Sequence, residues 1–69
     1  MDVVSEWPGR IAEIHVGVGE RVAPDQELVT IESMKMLMPV TSPRAGAVTA
    51  IAVAVDQYVD SGALLVTLD

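Results

Sequence analysis

The sequence predicts one small all-β domain in the form of a flattened barrel or sandwich. Valine and isoleucine alternate with small or polar residues over 14–18 and again over 51–55, which is the period of two expected of half-buried strands. Turn-forming Gly, Pro, Asp and Ser residues interrupt the chain at short, regular intervals. No stretch between these breaks carries apolar residues at helical spacing. We expect a single domain over residues 1–69, a length that leaves room for only one core.

The chain is also an internal repeat, in which residues 1–32 match residues 38–69 after a shift of 37 positions. The identical pairs are Val3 with Val40, Ser5 with Ser42, Gly9 with Gly46, Ile14 with Ile51, Val16 with Val53, Val18 with Val55, Val22 with Val59, and Leu28-Val29-Thr30 with Leu65-Val66-Thr67. One register aligns both turn residues and apolar residues. Two such halves cannot bury their apolar faces alone, so we expect them to pack together with approximate two-fold symmetry.

The segment 33–37 lies outside the repeat and connects its halves. We expect it to form a tight hairpin. By the same symmetry, the terminal strands around residues 2–5 and 64–68 should form an antiparallel pair at the pole opposite that hairpin. Unpaired, these strands would leave backbone groups and apolar side chains exposed.

Lys35, at the centre of this segment, is the only lysine of the chain, and Met34 and Met36 flank it. A lone loop lysine is usually just solvated, and nearby methionines usually fill a core. Here the amine is unique, central in a two-fold repeat, and held between flexible apolar side chains. These features favour an attachment point at a protruding tip, with both methionines at least partly exposed.

The run Glu-Ser-Met-Lys-Met between two such halves resembles the biotinyl domain of biotin carboxyl carrier proteins, in the biotinyl/lipoyl attachment family. The resemblance covers essentially the whole chain. It implies two four-stranded antiparallel sheets related by a pseudo-two-fold axis. It also implies that biotin protein ligase attaches biotin to the side-chain nitrogen of Lys35. Met34 and Met36 then contribute to ligase recognition and to the later carboxylation reactions.

The chain departs from the family pattern in three places. Ser33 stands where alanine is most frequent, Leu37 where many relatives are acidic or polar, and Asp25 where a turn glycine is usual. No insertion resembles the protruding thumb of some bacterial acetyl-CoA carboxylase carriers. The chain is similar instead to the thumbless type found in acyl-CoA carboxylases and in small free-standing biotinyl proteins.

The implied function is that of a biotin carboxyl carrier, a non-catalytic subunit of a biotin-dependent carboxylase or decarboxylase. Its partners would be biotin protein ligase and the biotin carboxylase and carboxyltransferase subunits. Two alternatives stay open. One is a lipoyl carrier of a 2-oxo acid dehydrogenase-type complex, although its lysine typically follows Asp and precedes Ala. The other is an unmodified adaptor. We find no catalytic residue and no metal site in the sequence.

The composition of the chain bears on its partners and on its cellular compartment. Ten acidic residues against four basic ones argue against nucleic-acid binding, because no basic patch can release counterions from phosphates. No secretory signal and no membrane-crossing apolar run are recognisable. The absence of cysteine permits a reducing compartment, so we expect a cytoplasmic protein, monomeric in isolation. We expect structural packing for Trp7 and an outward position for His15.

Overall fold

The computed structural model describes all residues 1–69 and contains eight β-strands and no helix. The strands are β1 (Asp2–Val4), β2 (Gly9–Ile14), β3 (Arg21–Val22), β4 (Glu27–Ser33), β5 (Met36–Thr41), β6 (Gly46–Ile51), β7 (Tyr58–Val59) and β8 (Leu64–Leu68). They form two four-stranded sheets, in the orders β1-β8-β6-β3 and β5-β4-β2-β7. Every strand pair is antiparallel. The predicted all-β fold of two four-stranded antiparallel sheets is confirmed.

The two sheets repeat each other in strand order and in register. Val3 lies opposite Val66 in the β1–β8 pair, and the repeat mates Val40 and Val29 lie opposite each other in the β5–β4 pair. Both pairs also contain a register shift at the equivalent place. The same 37-residue shift that aligns the sequence therefore relates the two sheets, as expected of a pseudo-two-fold axis.

The terminal strands close the domain. β1 and β8 are antiparallel neighbours, which confirms the predicted pairing of the chain ends. Beyond the strand ends, the Leu68 N–H donates to the Met1 carbonyl oxygen at 2.8 Å, and the Met1 amine donates to the Leu68 carbonyl oxygen at 2.5 Å. These bonds satisfy backbone groups that would otherwise face solvent unpaired at a sheet edge.

A single apolar core is built from both sheets. Its fully buried members include the repeat mates Leu28 and Leu65, together with Ile11, Ile31 and Leu68. Each such side chain contributes about 1.5–3 kcal/mol through burial of apolar surface. No buried side-chain polar atom lacks a hydrogen-bond partner. The core therefore holds both sheets together without a disulfide.

The alternating stretches 14–18 and 51–55 are not continuous strands, so that part of the strand prediction was wrong. β2 ends at Ile14 and β6 ends at Ile51. After β2 the chain leaves its sheet, and the Gly19 N–H donates to the Val48 carbonyl oxygen of the other sheet at 2.7 Å. Val16 is still buried during this crossing. The alternation therefore does not mark paired backbone, and it does not mark burial throughout, since Val18 and Val55 at the ends of the two stretches are exposed.

No helix is present that is long and apolar enough to span a bilayer.

Candidate attachment site at the lysine hairpin

Lys35 lies in the tightest possible connection between two antiparallel strands. Ser33 at the end of β4 pairs with Met36 at the start of β5, leaving only Met34 and Lys35 in the turn. Their φ angles are 51° and 64°, so both central residues have left-handed backbone, as a type I′ hairpin turn requires. Asn-Gly is the low-strain choice for these positions. The chain instead places two bulky residues there, at a cost of order 1–3 kcal/mol each.

The tip is apolar and open to solvent. Met34 is 92% exposed and Met36 is 62% exposed, which confirms that both methionines lie outside the core. Leu37 beside them is also 62% exposed. Lys35 is exposed and forms no ion pair. Its amine is therefore accessible and has no carboxylate partner that would have to be displaced before it reacts.

The hairpin rises from a firmly packed base. β4 is a central strand, paired with β5 on one side and β2 on the other. Its Leu28, Val29 and Ile31 side chains are fully buried. The turn is thereby held in one position relative to the core, as a site that must be presented accurately requires.

An ion-pair network crosses the outer face just below the hairpin. Arg10 Nη2 lies 2.9 Å from Glu32 Oε1, and Arg10 Nη1 lies 2.6 Å from Asp56 Oδ1. The hydrogen bond to Glu32 is the main cause that raises the pKa of Arg10 above its ordinary value, and Asp56 adds to it. The guanidinium therefore stays charged throughout the working pH range. It ties β4 and β2 to the loop before β7.

A groove of about 410 Å³ opens beside the hairpin, and we call it the aromatic groove. Its lining residues are Trp7, Pro8, Gly9, Arg10, Glu32, Ser33, Met34 and Tyr58. Tyr58 was not singled out by the sequence. The only available signal was that it is the sole tyrosine of a chain with one other aromatic residue. Tyr58 reaches the site because β7 pairs with β2, which places it opposite Arg10.

Of the other residues considered from the sequence, His15 lies away from the hairpin and Trp7 lies in the aromatic groove. His15 is exposed, and its Nε2 is 2.8 Å from Thr30 Oγ1, where the donor depends on the imidazole tautomer. The Thr30 hydroxyl in turn donates to Glu27 at 2.6 Å. Trp7 is 38% exposed, so it is only partly packed. No group of three or more His, Asp or Glu side chains is arranged to hold a metal ion.

The fold presents its one lysine, exposed, at the tip of a two-residue hairpin turn. The family model described as "Biotin-requiring enzyme", the biotin/lipoyl family, matches residues 1–68. The chain therefore belongs to the biotin/lipoyl attachment family.

The names of individual relatives refer either to biotin or to a lipoyl group. A biotin carboxyl carrier protein from Streptococcus mutans is 39% identical over 61 residues, which cover 88% of this chain and 47% of the relative. A dihydrolipoyllysine-residue acetyltransferase component of the pyruvate dehydrogenase complex from Azotobacter vinelandii is 34% identical over 67 residues. That match covers 97% of this chain but only 10% of the acetyltransferase.

Among solved structures, the urea carboxylase of Kluyveromyces lactis superposes on the chain with a TM-score of 0.94. The sequence identity is 28%, and the match covers 100% of this chain and 6% of that enzyme. The chain thus spans about half the length of the Streptococcus mutans carrier and a small part of the acetyltransferase and of urea carboxylase. The matches establish an attachment domain and do not separate biotin from lipoate.

Proposed function

We propose that the protein is a biotin carboxyl carrier whose biotin is joined to Lys35. The observation that carries this proposal is the strained two-residue turn, which holds the only lysine of the chain between two exposed methionines. Strain of this kind persists where function selects the residues. Met-Lys-Met is also the sequence in which the chain resembles biotinyl domains and departs from the Asp-Lys-Ala typical of lipoyl domains.

Loading requires only the amine and its presentation. Lys35 Nζ, once deprotonated, attacks the acyl carbon of an activated biotin. A C–N amide bond forms, the activating group leaves with the bonding electron pair, and Nζ loses its second proton. The product is a neutral amide at the end of a long flexible stem. When bound, biotin supplies a ring nitrogen that accepts and releases a carboxyl group.

The chain's own contribution after loading is mechanical. The β4–β5 hairpin fixes the root of the stem, and the exposed Met34 and Met36 leave room for an enzyme to close around it. Biotin protein ligase would read this tip first. Biotin carboxylase and carboxyltransferase sites of a carboxylase or decarboxylase would receive it afterwards. The carboxylase context draws support from the likeness to urea carboxylase.

A lipoyl carrier is the second candidate, and it is favoured by the acetyltransferase relative. The two candidates differ in the enzyme that would recognise the tip. A lipoate ligase would have to accept methionine on both sides of the lysine. We expect the biotin enzyme to be strongly preferred, because Met34 and Met36 are the side chains most exposed beside Lys35.

The test is intact-mass measurement after incubation with biotin protein ligase and, separately, with a lipoate ligase. We expect the mass of one biotinyl group and none of lipoyl. Lys35→Arg keeps the positive charge but removes the primary amine, so it should fold as the wild type and gain no mass. Lipoyl addition in place of biotin, or biotin on the Lys35→Arg variant, would contradict the proposal.

A further inference from the structure

The two aromatic residues of the chain break its two-fold symmetry in the same place. Trp7 and Tyr58 are the only tryptophan and tyrosine, and there is no phenylalanine. Both line the aromatic groove beside the lysine hairpin. Trp7 comes from the first half of the repeat and Tyr58 from the second, and their repeat mates are Arg44 and Arg21, so the symmetry-equivalent positions carry cations instead of rings. The scaffold therefore tolerates arginine at these positions, and the aromatic rings are not a requirement of the fold.

The groove begins at the residue next to the lysine. Met34 is part of its lining, and consecutive Cα atoms are only about 3.8 Å apart. A lysine side chain extended by an acyl arm reaches several times that distance. Across the groove, Glu32, Arg10 and Tyr58 are neighbours on β4, β2 and β7. A group attached to Lys35 can therefore fold back onto Tyr58 and Trp7 without any movement of the backbone.

The chemistry of the lining suits a neutral ring. Trp7 and Tyr58 supply apolar faces and Met34 a polarisable thioether, while the floor carries charged groups. The Arg10 charge is shared between Glu32 and Asp56 at 2.9 Å and 2.6 Å. Glu32 lines the groove beside Arg10, and Asp56, outside the lining, pairs with the other side of the guanidinium. No uncompensated cation is therefore left to attract an anion, while Glu32 can accept a hydrogen bond from an uncharged polar group. A ureido ring fused to a thioether ring has this character.

We propose that the aromatic groove is a docking site for the ring of the biotinyl group on Lys35, an inference that rests on the proposed function. Tethering gives the ring an effective concentration of about millimolar near the groove. Weak affinity is therefore enough to dock a substantial fraction of rings between transfers. Carboxylation adds a negative charge to the ring, which finds Glu32 and no uncompensated cation in the groove, so the loaded ring is released.

The test compares the unmodified and biotinylated domain by NMR. We expect the Trp7 indole and Tyr58 ring resonances to shift on biotinylation, with cross-relaxation between these protons and those of the biotin rings. Trp7→Arg and Tyr58→Arg install the residues found at the repeat mates, and each should remove the contacts made by the other aromatic ring. Tyr58→Phe should retain them. Val18→Arg, at an exposed position outside the groove, is the matched control and should change nothing.

A second readout is the rate at which streptavidin captures the biotinylated chain. If half of the rings are docked, capture by Trp7→Arg or Tyr58→Arg should be about twofold faster than by the wild type or Val18→Arg. If intact mass confirms biotinylation but the Trp7 and Tyr58 resonances do not shift, docking of the ring in the aromatic groove is wrong, and the carrier function still stands. If the ligase adds no biotin mass to the chain, the proposed carrier function is wrong, and so is biotin as the ligand of the groove.

Discussion

The backbone of Gly9 lies so close to that of Glu32 that a β-carbon on Gly9 would come within 2.5 Å of the Glu32 carbonyl oxygen. The same β-carbon would lie 2.7 Å from Cγ2 of Ile31, which is fully buried. Neither neighbour can move freely, since both belong to β4 directly below the lysine hairpin. The absence of a side chain at Gly9 thus lets β2 approach β4 at the base of the site.

Gly9→Ala should therefore destabilise the domain by about 1–3 kcal/mol through overpacking. Gly17→Ala is the matched control, because a β-carbon there would meet no atom within 4 Å, and it should be neutral or slightly stabilising. Urea denaturation of both variants measures the difference. Equal stability of the two would show that β2 can shift away from β4 at little cost.

Asp25 occupies a left-handed turn with φ 66°, and its repeat mate Gly62 has φ 88°. Aspartate tolerates this region better than most residues, whereas alanine does not. Asp25→Ala should be about 1 kcal/mol less stable than Asp25→Gly, as measured by thermal unfolding under identical conditions. An alanine variant as stable as the glycine variant would mean that the turn adopts another conformation.

Met34 is the residue at the site whose side chain most clearly lowers the stability of the domain. Met34→Asn places a residue favoured in left-handed turns at φ 51° and removes a side chain that is 92% exposed. The free energy of unfolding should rise by about 0.5–1 kcal/mol through relief of strain. Under the proposed function, biotin incorporation by the ligase should slow. A variant that is both more stable and loaded as fast as the wild type would remove any functional reason for methionine there.

Met36 can be tested against its neighbour. Met36→Leu and Leu37→Met exchange side chains of similar volume at positions that are both 62% exposed, so each should change stability by less than about 1.5 kcal/mol. Only Met36→Leu should slow ligation or carboxyl transfer, as measured by initial rates at equal protein concentration. Equal rates for the two variants would show that the tip requires apolar volume and not methionine at a defined place.

Much of the architecture was predictable because two halves with matching sequence patterns are expected to fold alike. A single register that aligns Leu28-Val29-Thr30 with Leu65-Val66-Thr67 implies two similar halves, a connecting hairpin and paired chain ends. The repeat could also have predicted the left-handed backbone at two aspartates. Asp25 aligns with Gly62 and Asp56 with Gly19, and all four residues have positive φ. The strand ends were missed because the apolar alternation continues beyond the paired backbone, through Val16, which is buried outside any strand, to Val18, which is exposed.

The sequence by itself determined the all-β class, the two-fold plan and the position of the single lysine in the connection between the halves. Only the tertiary structure decided what surrounds that lysine. Arg10 meets Asp56 across 46 positions of sequence, and Tyr58 joins Trp7 in the groove because β7 pairs with β2. Local patterns state which face of a strand is buried. They do not state which distant strand lies beside it, and the pairing of distant strands assembles the surroundings of Lys35.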